Sequence, residues 1–306
     1  MTGSPFAALV DWGTSNFRLW IVNAEGGVLA ERQSDDGMGR LERDRFGPVL
    51  ESHLQALAAP AGLAAVVAGM AGARSGWLEA PYVETPAPLD GLYRDAVTPE
   101  YSSRRVFILP GVCQRIAGAE DVMRGEETQL SGAVASGLQN GLFCLPGTHS
   151  KWADVRDGAV SRFTTAMTGE LFQLLSRQSI LRLSVPEDAR ADAEHAAFAA
   201  GVDEATDPHF SLTTRLFSIR AESLLGSADG TAAISRLSGL LIGAEVAAMN
   251  RRYMPEGEVH IIGTGALARL YTRALGLSGI RASALDGGEL VRKGLFAAAR
   301  ALVSVA

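Results

Sequence analysis

The sequence predicts an α/β protein built by internal duplication, and three stretches carry that expectation. Residues 8–22 read as a buried strand, a tight polar turn and a second strand, in which Phe17, Leu19 and Ile21 alternate with Arg18, Trp20 and Val22. Residues 143–164 repeat the plan. Superposing Gly147 and Thr148 on Gly13 and Thr14 aligns strand, polar turn, second strand, glycine turn and third strand, with Asp157-Gly158 in the place of Glu25-Gly26-Gly27. Residues 259–268 hold a third glycine turn, Gly263-Thr264-Gly265, which follows a strand and opens a helix. The matching hairpins imply two domains, 1–140 and 141–306, without a clean linker and with the last helix free to return to the first domain.

Composition sets the bounds. A chain of 306 residues, 47% of them hydrophobic, can bury one large core or two medium ones. A formal net charge of −6 argues against a general nucleic-acid binder, which would carry a basic stripe. Cys113 and Cys144 have no metal-type spacing and read as buried thiols of a reducing cytosol. The N-terminus shows no basic region leading into a long apolar run, and no stretch reaches the ~18 uninterrupted apolar residues of a membrane helix. The expectation is a cytoplasmic protein without nucleic-acid or membrane partners, with a homodimer as the default assembly.

The elements follow in order. After the first hairpin, 28–33 is the third strand and 35–40 a glycine-containing loop. Phe46, Val49, Leu50, Leu54 and Leu57 keep helical spacing within 42–59, and Pro60-Ala61-Gly62 ends that helix. The strand at 64–70 delivers a loop from which Arg74, Trp77 and Glu79 can all point into a cleft, the plainer reading being a surface loop with a packed Trp. The stretch 83–105 reads as irregular or short-stranded, 106–109 as a strand stopped by Pro110-Gly111, and 126–138 as a helix. In the second half, helices are expected at 168–179, 192–204, 212–225, 231–252, 266–276 and 288–302, with strands at 259–262 and 281–285. Small residues Gly132 and Ala133 on one helix and Gly294, Ala297 and Ala298 on another predict a close crossing that shears as a cleft shuts.

The turns have a definite chemistry. Gly13 lets the backbone approach a ligand, Thr14, Ser15 and the turn N–H groups can cradle phosphate oxygens, and Asp11 can hold a hydrated Mg²⁺ opposite them. The same residues also suit an ordinary hairpin turn. The repeat shifts the balance, because Gly147 and Thr148 offer a second cradle, while Gly263, Thr264 and Gly265 offer a place for an adenosine.

This ordered set resembles the sugar-kinase, heat-shock-protein and actin superfamily, and the segments between the turns narrow the likeness. The runs Gly69 to Tyr82, Asp121 to Leu130, Leu145 to Trp152 and Met167 to Phe172 resemble the signatures of the 2-dehydro-3-deoxygalactonokinase family. The resemblance implies a duplicated actin-like (ribonuclease H-like) fold, two domains around a nucleotide cleft, ATP and Mg²⁺ as cofactors, and phosphorylation of the C6 hydroxyl of 2-dehydro-3-deoxy-D-galactonate. It places the catalytic base at the entrance of the first connecting helix, where related kinases carry Asp and this chain has Glu126 and Glu127. Glu126 is favoured, although an acid at a helix start also suits the helix dipole. The acid's carboxylate requires a cation, for which Arg18, Arg74, Arg124 and Lys151 are the candidates. His149 can donate to substrate or phosphate or serve only as a turn residue, and Asn16 and Glu79 can bind sugar hydroxyls.

Rival readings explain less. Gly263-Thr264-Gly265-Ala266-Leu267-Ala268 matches a dinucleotide fingerprint, with Asp286 about twenty residues on, but too little chain follows to finish such a domain. A Walker phosphate loop is absent. A catalytically silent sugar- or nucleotide-binding regulator, or a kinase of another sugar or sugar acid, shares the same motifs and differs only in the product formed from ATP.

Overall fold

The computed structural model describes residues 3–101, 103–226 and 228–304. The chain divides into two compact units: Met1–Asn140, Val155–Phe163 and Gly287–Ala306 make unit 1, and Gly141–Asp154 and Thr164–Asp286 make unit 2.

In unit 1, β1 (Ala7–Trp12), β2 (Phe17–Val22) and β3 (Val28–Ser34) form an antiparallel meander. Helix α1 (Phe46–Ala56) follows, then β4 (Ala65–Gly69), parallel to β1. The helix begins four residues later than its periodicity suggests, after a single turn of 3₁₀ helix at Arg43–Arg45. Starting at Phe46 puts Pro48 in the first turn, where its missing N–H costs nothing; a start at residue 42 would place it inside the helix. Two short strands, β5 (Tyr82–Glu84) and β6 (Ala87–Pro88), precede β7 (Val106–Ile108), which closes the sheet in the order β3-β2-β1-β4-β7.

Both faces of this sheet are covered, which accounts for its near-continuous apolar strands. Ala8, Val10, Trp12, Phe17, Leu19 and Ile21 pack with Phe46, Leu50 and Leu54 of α1. Leu9, Trp20 and Val22 pack on the other side against Val291, Leu295 and Ala299 of α8 (Gly287–Val303). Trp77 belongs to the first of these clusters, stacked on Phe46 at 6.1 Å and edge-on to Tyr101 at 5.6 Å. Of the two readings for Trp77 the packed one holds: the side chain is buried in this aromatic cluster and does not point into a cleft.

β8 (Gly111–Gln114) and β9 (Asp121–Met123) join β5 in a three-stranded sheet. Strands of three and four residues are too short to show a period, and Pro110-Gly111 resembles a terminator. Helix α2 (Glu126–Ala135) then crosses α8. A Cβ on Gly132 would lie 1.9 Å from the Leu290 carbonyl oxygen, and one on Gly294 2.0 Å from that of Thr128. The predicted small-residue crossing exists, but both helices belong to unit 1 and their backbones interlock reciprocally. The crossing is thus a close backbone approach within one unit.

Unit 2 takes β10 (Gly141–Leu145), most of β11 (Ser150–Arg156) and the end of β12 (Ala159–Ala166), whose first residues belong to unit 1. Helices α3 (Thr168–Arg177), α4 (Ala196–Thr206), α5 (Leu212–Leu224) and α6 (Gly230–Tyr253) come next. The chain then runs through β13 (Val259–Ile262), α7 (Gly265–Leu277) and β14 (Ala282–Leu285). The strand order β12-β11-β10-β13-β14 repeats the order of the first sheet, with β13 parallel to β10 and β14 parallel to β13. The unit 1 end of β12 also pairs with β6 through Ala159 and Val160. By length and composition α6 could cross a membrane, yet 78% of its most apolar window is buried. It is apolar all round because two clusters meet on it, Phe198 and Val202 of α4 on one side and Leu181, Val185 and Ile219 on another.

Candidate active site

The turn between β1 and β2 is held from behind by backbone. Gly13 N–H donates to the Asn16 carbonyl at 2.9 Å, Met38 N–H to the Gly13 carbonyl at 3.0 Å and Gly39 N–H to the Thr14 carbonyl at 2.9 Å. Thr14, Ser15 and Asn16 stay exposed at its tip. The bracing loop is fixed in turn: Trp12 Nε1 donates to the Asp36 carbonyl at 2.8 Å, and the Asp36 carboxylate meets the Ser34 hydroxyl at 2.8 Å and His53 Nε2 at 2.9 Å. Arg32 Nε donates to His53 Nδ1, so the ring carries its proton on Nε2 and gives it to Asp36. The Ser34 hydroxyl, with His53 adding, holds the Asp36 carboxyl below the usual carboxylate range.

Asp11 ends β1 beside this turn and accepts from Nε of Arg18 at 3.0 Å and from Nη2. With Gly13, Asn16, Gln33 and Asp35 the pair lines an open polar pocket. Two glycines connect Asp11 to the start of α2. Gly69 has φ +89°, and a Cβ there would lie 2.7 Å from the Trp12 carbonyl oxygen and 3.6 Å from Asp11 Oδ1. Gly125 has φ +109°, and its Cβ would lie 3.5 Å from Gly69 Cα. Only glycine permits both the backbone angle and the approach at these positions. The two acids of α2 are thereby brought to the side of Asp11.

Those acids differ. Glu127 is 1% exposed and accepts from the Gly125 N–H at 2.8 Å and the Thr128 hydroxyl at 3.2 Å. Burial pushes its carboxyl up to about 8, the Glu126 charge adds to the rise, and the Gly125 hydrogen bond opposes it. Glu126 is half-buried and accepts from the Arg124 N–H at 3.1 Å. Of the two, Glu126 is the one with surface open to solution.

The four candidate cations also separate. Arg18 is engaged with Asp11. Arg124 lies 4.3 Å over the Tyr82 ring and donates to the Ala80 carbonyl, while its Nε and Nη1 are buried away from any partner. Lys151 is 5% exposed, with Nζ on the His149 carbonyl at 3.1 Å. Arg74 is exposed on a loop whose backbone Arg43 clamps, through the carbonyls of Arg74 at 2.8 Å and Gly76 at 3.1 Å. Glu79 is exposed on the same loop.

In unit 2 the turn after β10 leaves Gly147 partly covered and Thr148 and His149 exposed. Its brace is the start of α3: a Cβ on Gly169 would lie 2.3 Å from the Gly147 carbonyl oxygen, and Glu170 N–H donates to the Thr148 carbonyl at 2.9 Å. The Glu170 carboxylate pairs with His149 Nε2. Gly263 at the end of β13 faces Pro146, 3.9 Å from where its Cβ would stand, and Thr264 and Gly265 are exposed where α7 opens. Between α3, α6 and α7 lies a cavity of about 240 Å³, lined by Gly147, Phe172, Leu241, Ala266, Leu270 and Tyr271 among others.

Sequence reasoning missed the polar group beneath that cavity. Glu245 of α6 is 5% exposed and accepts from Ser150 Oγ at 2.8 Å, Trp152 Nε1 at 2.6 Å and Tyr271 Oη at 2.8 Å. A signal was present, since Glu245 is the only acid in the apolar sequence of α6.

A repeated five-strand order, polar turns after the first strand of each copy and a glycine turn opening a helix beside an apolar cavity define a kinase of the actin-like fold. The chain belongs to the 2-keto-3-deoxy-galactonokinase family, whose profile matches residues 11–298. It is 45% identical over 303 residues to a protein of Rhizobium meliloti (strain 1021) named probable 2-dehydro-3-deoxygalactonokinase DgoK1, covering 99% of each chain. It is 32% identical over 296 residues to the 2-dehydro-3-deoxygalactonokinase of Escherichia coli (strain K12), covering 96% of this chain and 98% of that one. A crystal structure from Sinorhizobium meliloti, 45% identical, superposes with a TM-score of 0.93 over 97% of this chain and 99% of the other.

Proposed function

We propose that this protein transfers the terminal phosphoryl group of ATP to the C6 hydroxyl of 2-dehydro-3-deoxy-D-galactonate. The observation that carries the reading is family membership across residues 11–298. The names of two relatives, 45% and 32% identical over nearly the whole chain, state that activity for those proteins.

The residues fit the cofactors the reaction requires. Asp11 supplies one carboxylate beside a polar turn, and no cluster of three or more His, Cys, Asp or Glu occurs among the described residues. Such a site suits a Mg²⁺ that keeps most of its waters and takes its remaining oxygens from phosphates. When bound, the ion offsets charge on the transferring group. The cavity in unit 2 suits an adenosine: it is mostly apolar, with Gly147 and the start of α7 on its wall.

On this reading Glu126 accepts the proton of the C6 hydroxyl, and Glu127 holds the Gly125 turn so that the first turn of α2 stays aimed. Arg74, clamped through its backbone and free at its head, binds the substrate carboxylate. Glu79 and Asn16 bind hydroxyls. Arg18 orients Asp11 through its two hydrogen bonds. Two buried free cysteines suit a reducing cytoplasm.

The test is ADP release from purified protein offered 2-keto-3-deoxy acids, aldonic acids and neutral hexoses. Turnover with 2-dehydro-3-deoxy-D-galactonate well above the others is expected. Turnover confined to neutral hexoses would overturn the reading.

A further inference from the structure

We propose that Glu245 is a positioning residue for nucleotide binding, acting through the walls of the unit 2 cavity without touching the nucleotide. The proposal rests on the reading that ATP's adenosine occupies that cavity.

Three segments that shape the cavity meet on this one carboxylate. Ser150 and Trp152, at the start of β11, follow directly on the Gly147-Thr148 turn and donate to Oε1. Tyr271 of α7 donates to Oε2 and lines the cavity. Thr168, the first residue of α3, also bonds the carboxylate and lines the cavity, and its neighbour Gly169 abuts the turn. Glu245 itself rides on α6, whose Ile234, Ser238, Leu241 and Ile242 form the remaining wall.

Ser150, Trp152 and Tyr271 donate to the carboxyl oxygens, and the Trp152 indole can do nothing else. The titratable neighbours are Cys144 on β10 and Tyr271, both of which burial pushes upward, so neither brings a competing charge at neutral pH. Burial raises the Glu245 carboxyl, and the hydrogen bonds from Thr168, Trp152, Ser150 and Tyr271 oppose that rise. A buried acid joined only to hydroxyls and an indole is costly unless fully satisfied. A hydrophobic residue would fill the space equally well but would not set where β11, α3 and α7 stand relative to one another.

The experiment is steady-state kinetics in both substrates for Glu245→Gln, which keeps the shape and replaces one acceptor oxygen with a donor. Losing part of this set of hydrogen bonds is expected to raise the KM for ATP about ten-fold. The KM for the sugar acid should stay unchanged, as should the far-ultraviolet spectrum. Should Glu245→Gln fail to fold, Tyr271→Phe removes a single donor while keeping the ring, and a several-fold rise in the KM for ATP alone is expected. An unchanged KM for ATP, or equal rises for both substrates, would overturn the proposal. Ala266→Trp, at an exposed position of the cavity wall, separates the two readings. If it leaves the KM for ATP unaltered, the nucleotide does not sit there and both readings fall. If it raises that KM while Glu245→Gln does not, only the positioning role falls.

Discussion

The turn at 13–16 and the turn at 146–149 stand between equivalent strands of the same strand order, yet they are built for different work. The first ends a strand on Asp11, whose carboxylate reaches a polar pocket and pairs with Arg18. The second has buried Leu145 in the place of Asp11 and Trp152 in the place of Arg18. Its acid, Glu245, lies beneath the turn on another element and is almost wholly buried. The braces differ as well. A loop at 37–39 holds the first turn through backbone bonds, and the start of α3 holds the second. Duplication supplied the scaffold, and what flanks each copy decided whether charge faces solution or stays inside.

The most damaging way to probe this asymmetry is at Asp11. Asp11→Asn keeps the shape and removes a charge from the polar pocket beside the first turn, so kcat should fall about 10³-fold with folding retained. The Mg²⁺ requirement should rise in parallel. Near-normal kcat at ordinary Mg²⁺ would make the two turns functional equals.

Glu126→Gln comes next, with an expected loss in kcat of about 10²-fold or more and little change in the KM for ATP. Comparable activity in the variant would leave positioning alone to drive transfer.

Arg74→Ala should raise the KM for the sugar acid by about ten- to a hundred-fold, the value of a charge-assisted pair, and leave that for ATP alone. If Arg18→Ala does this instead, the carboxylate binds nearer the first turn than proposed.

The smaller effects concern the scaffold of unit 1. Glu127 has its carboxyl raised from 4.5 to about 8 in the folded chain, so between those values the native state holds a proton that the unfolded chain has lost. Stability therefore declines as pH rises from about 4.5 to about 8 and levels off beyond. Glu127→Gln should flatten that slope in pH-dependent denaturant melts, while an unchanged slope would place the titrating group elsewhere. Gly132→Ala should cost about 1–3 kcal/mol, since its Cβ would lie 1.9 Å from the Leu290 carbonyl oxygen. A melting temperature equal to the parent's would show that α2 and α8 slide more freely than their interlocked backbones indicate.

Local pattern alone determined much of this protein. Apolar runs bounded by Gly and polar turns placed β1, β2, β10 and β13, and helical spacing placed α6, α7 and α8 within a few residues, because burial repeats with the period of each element. The repeated Gly-Thr turn was legible because close approach of backbone to a ligand favours glycine, whereas the long motifs around Gly69, Gly125 and Gly169 were legible through their resemblance to a family. Only the tertiary structure decided the rest. Trp77 turned inward because an aromatic cluster from three distant segments was there to receive it. Glu126 and Glu127 are neighbours in sequence, yet one is half-buried and the other almost wholly buried, a difference their spacing alone does not show. Glu245 became a hub because residues 150, 152, 168 and 271 converge on it from β11, α3 and α7. Sequence spacing records the period of one element; convergence between elements depends on how they pack, which no single stretch encodes.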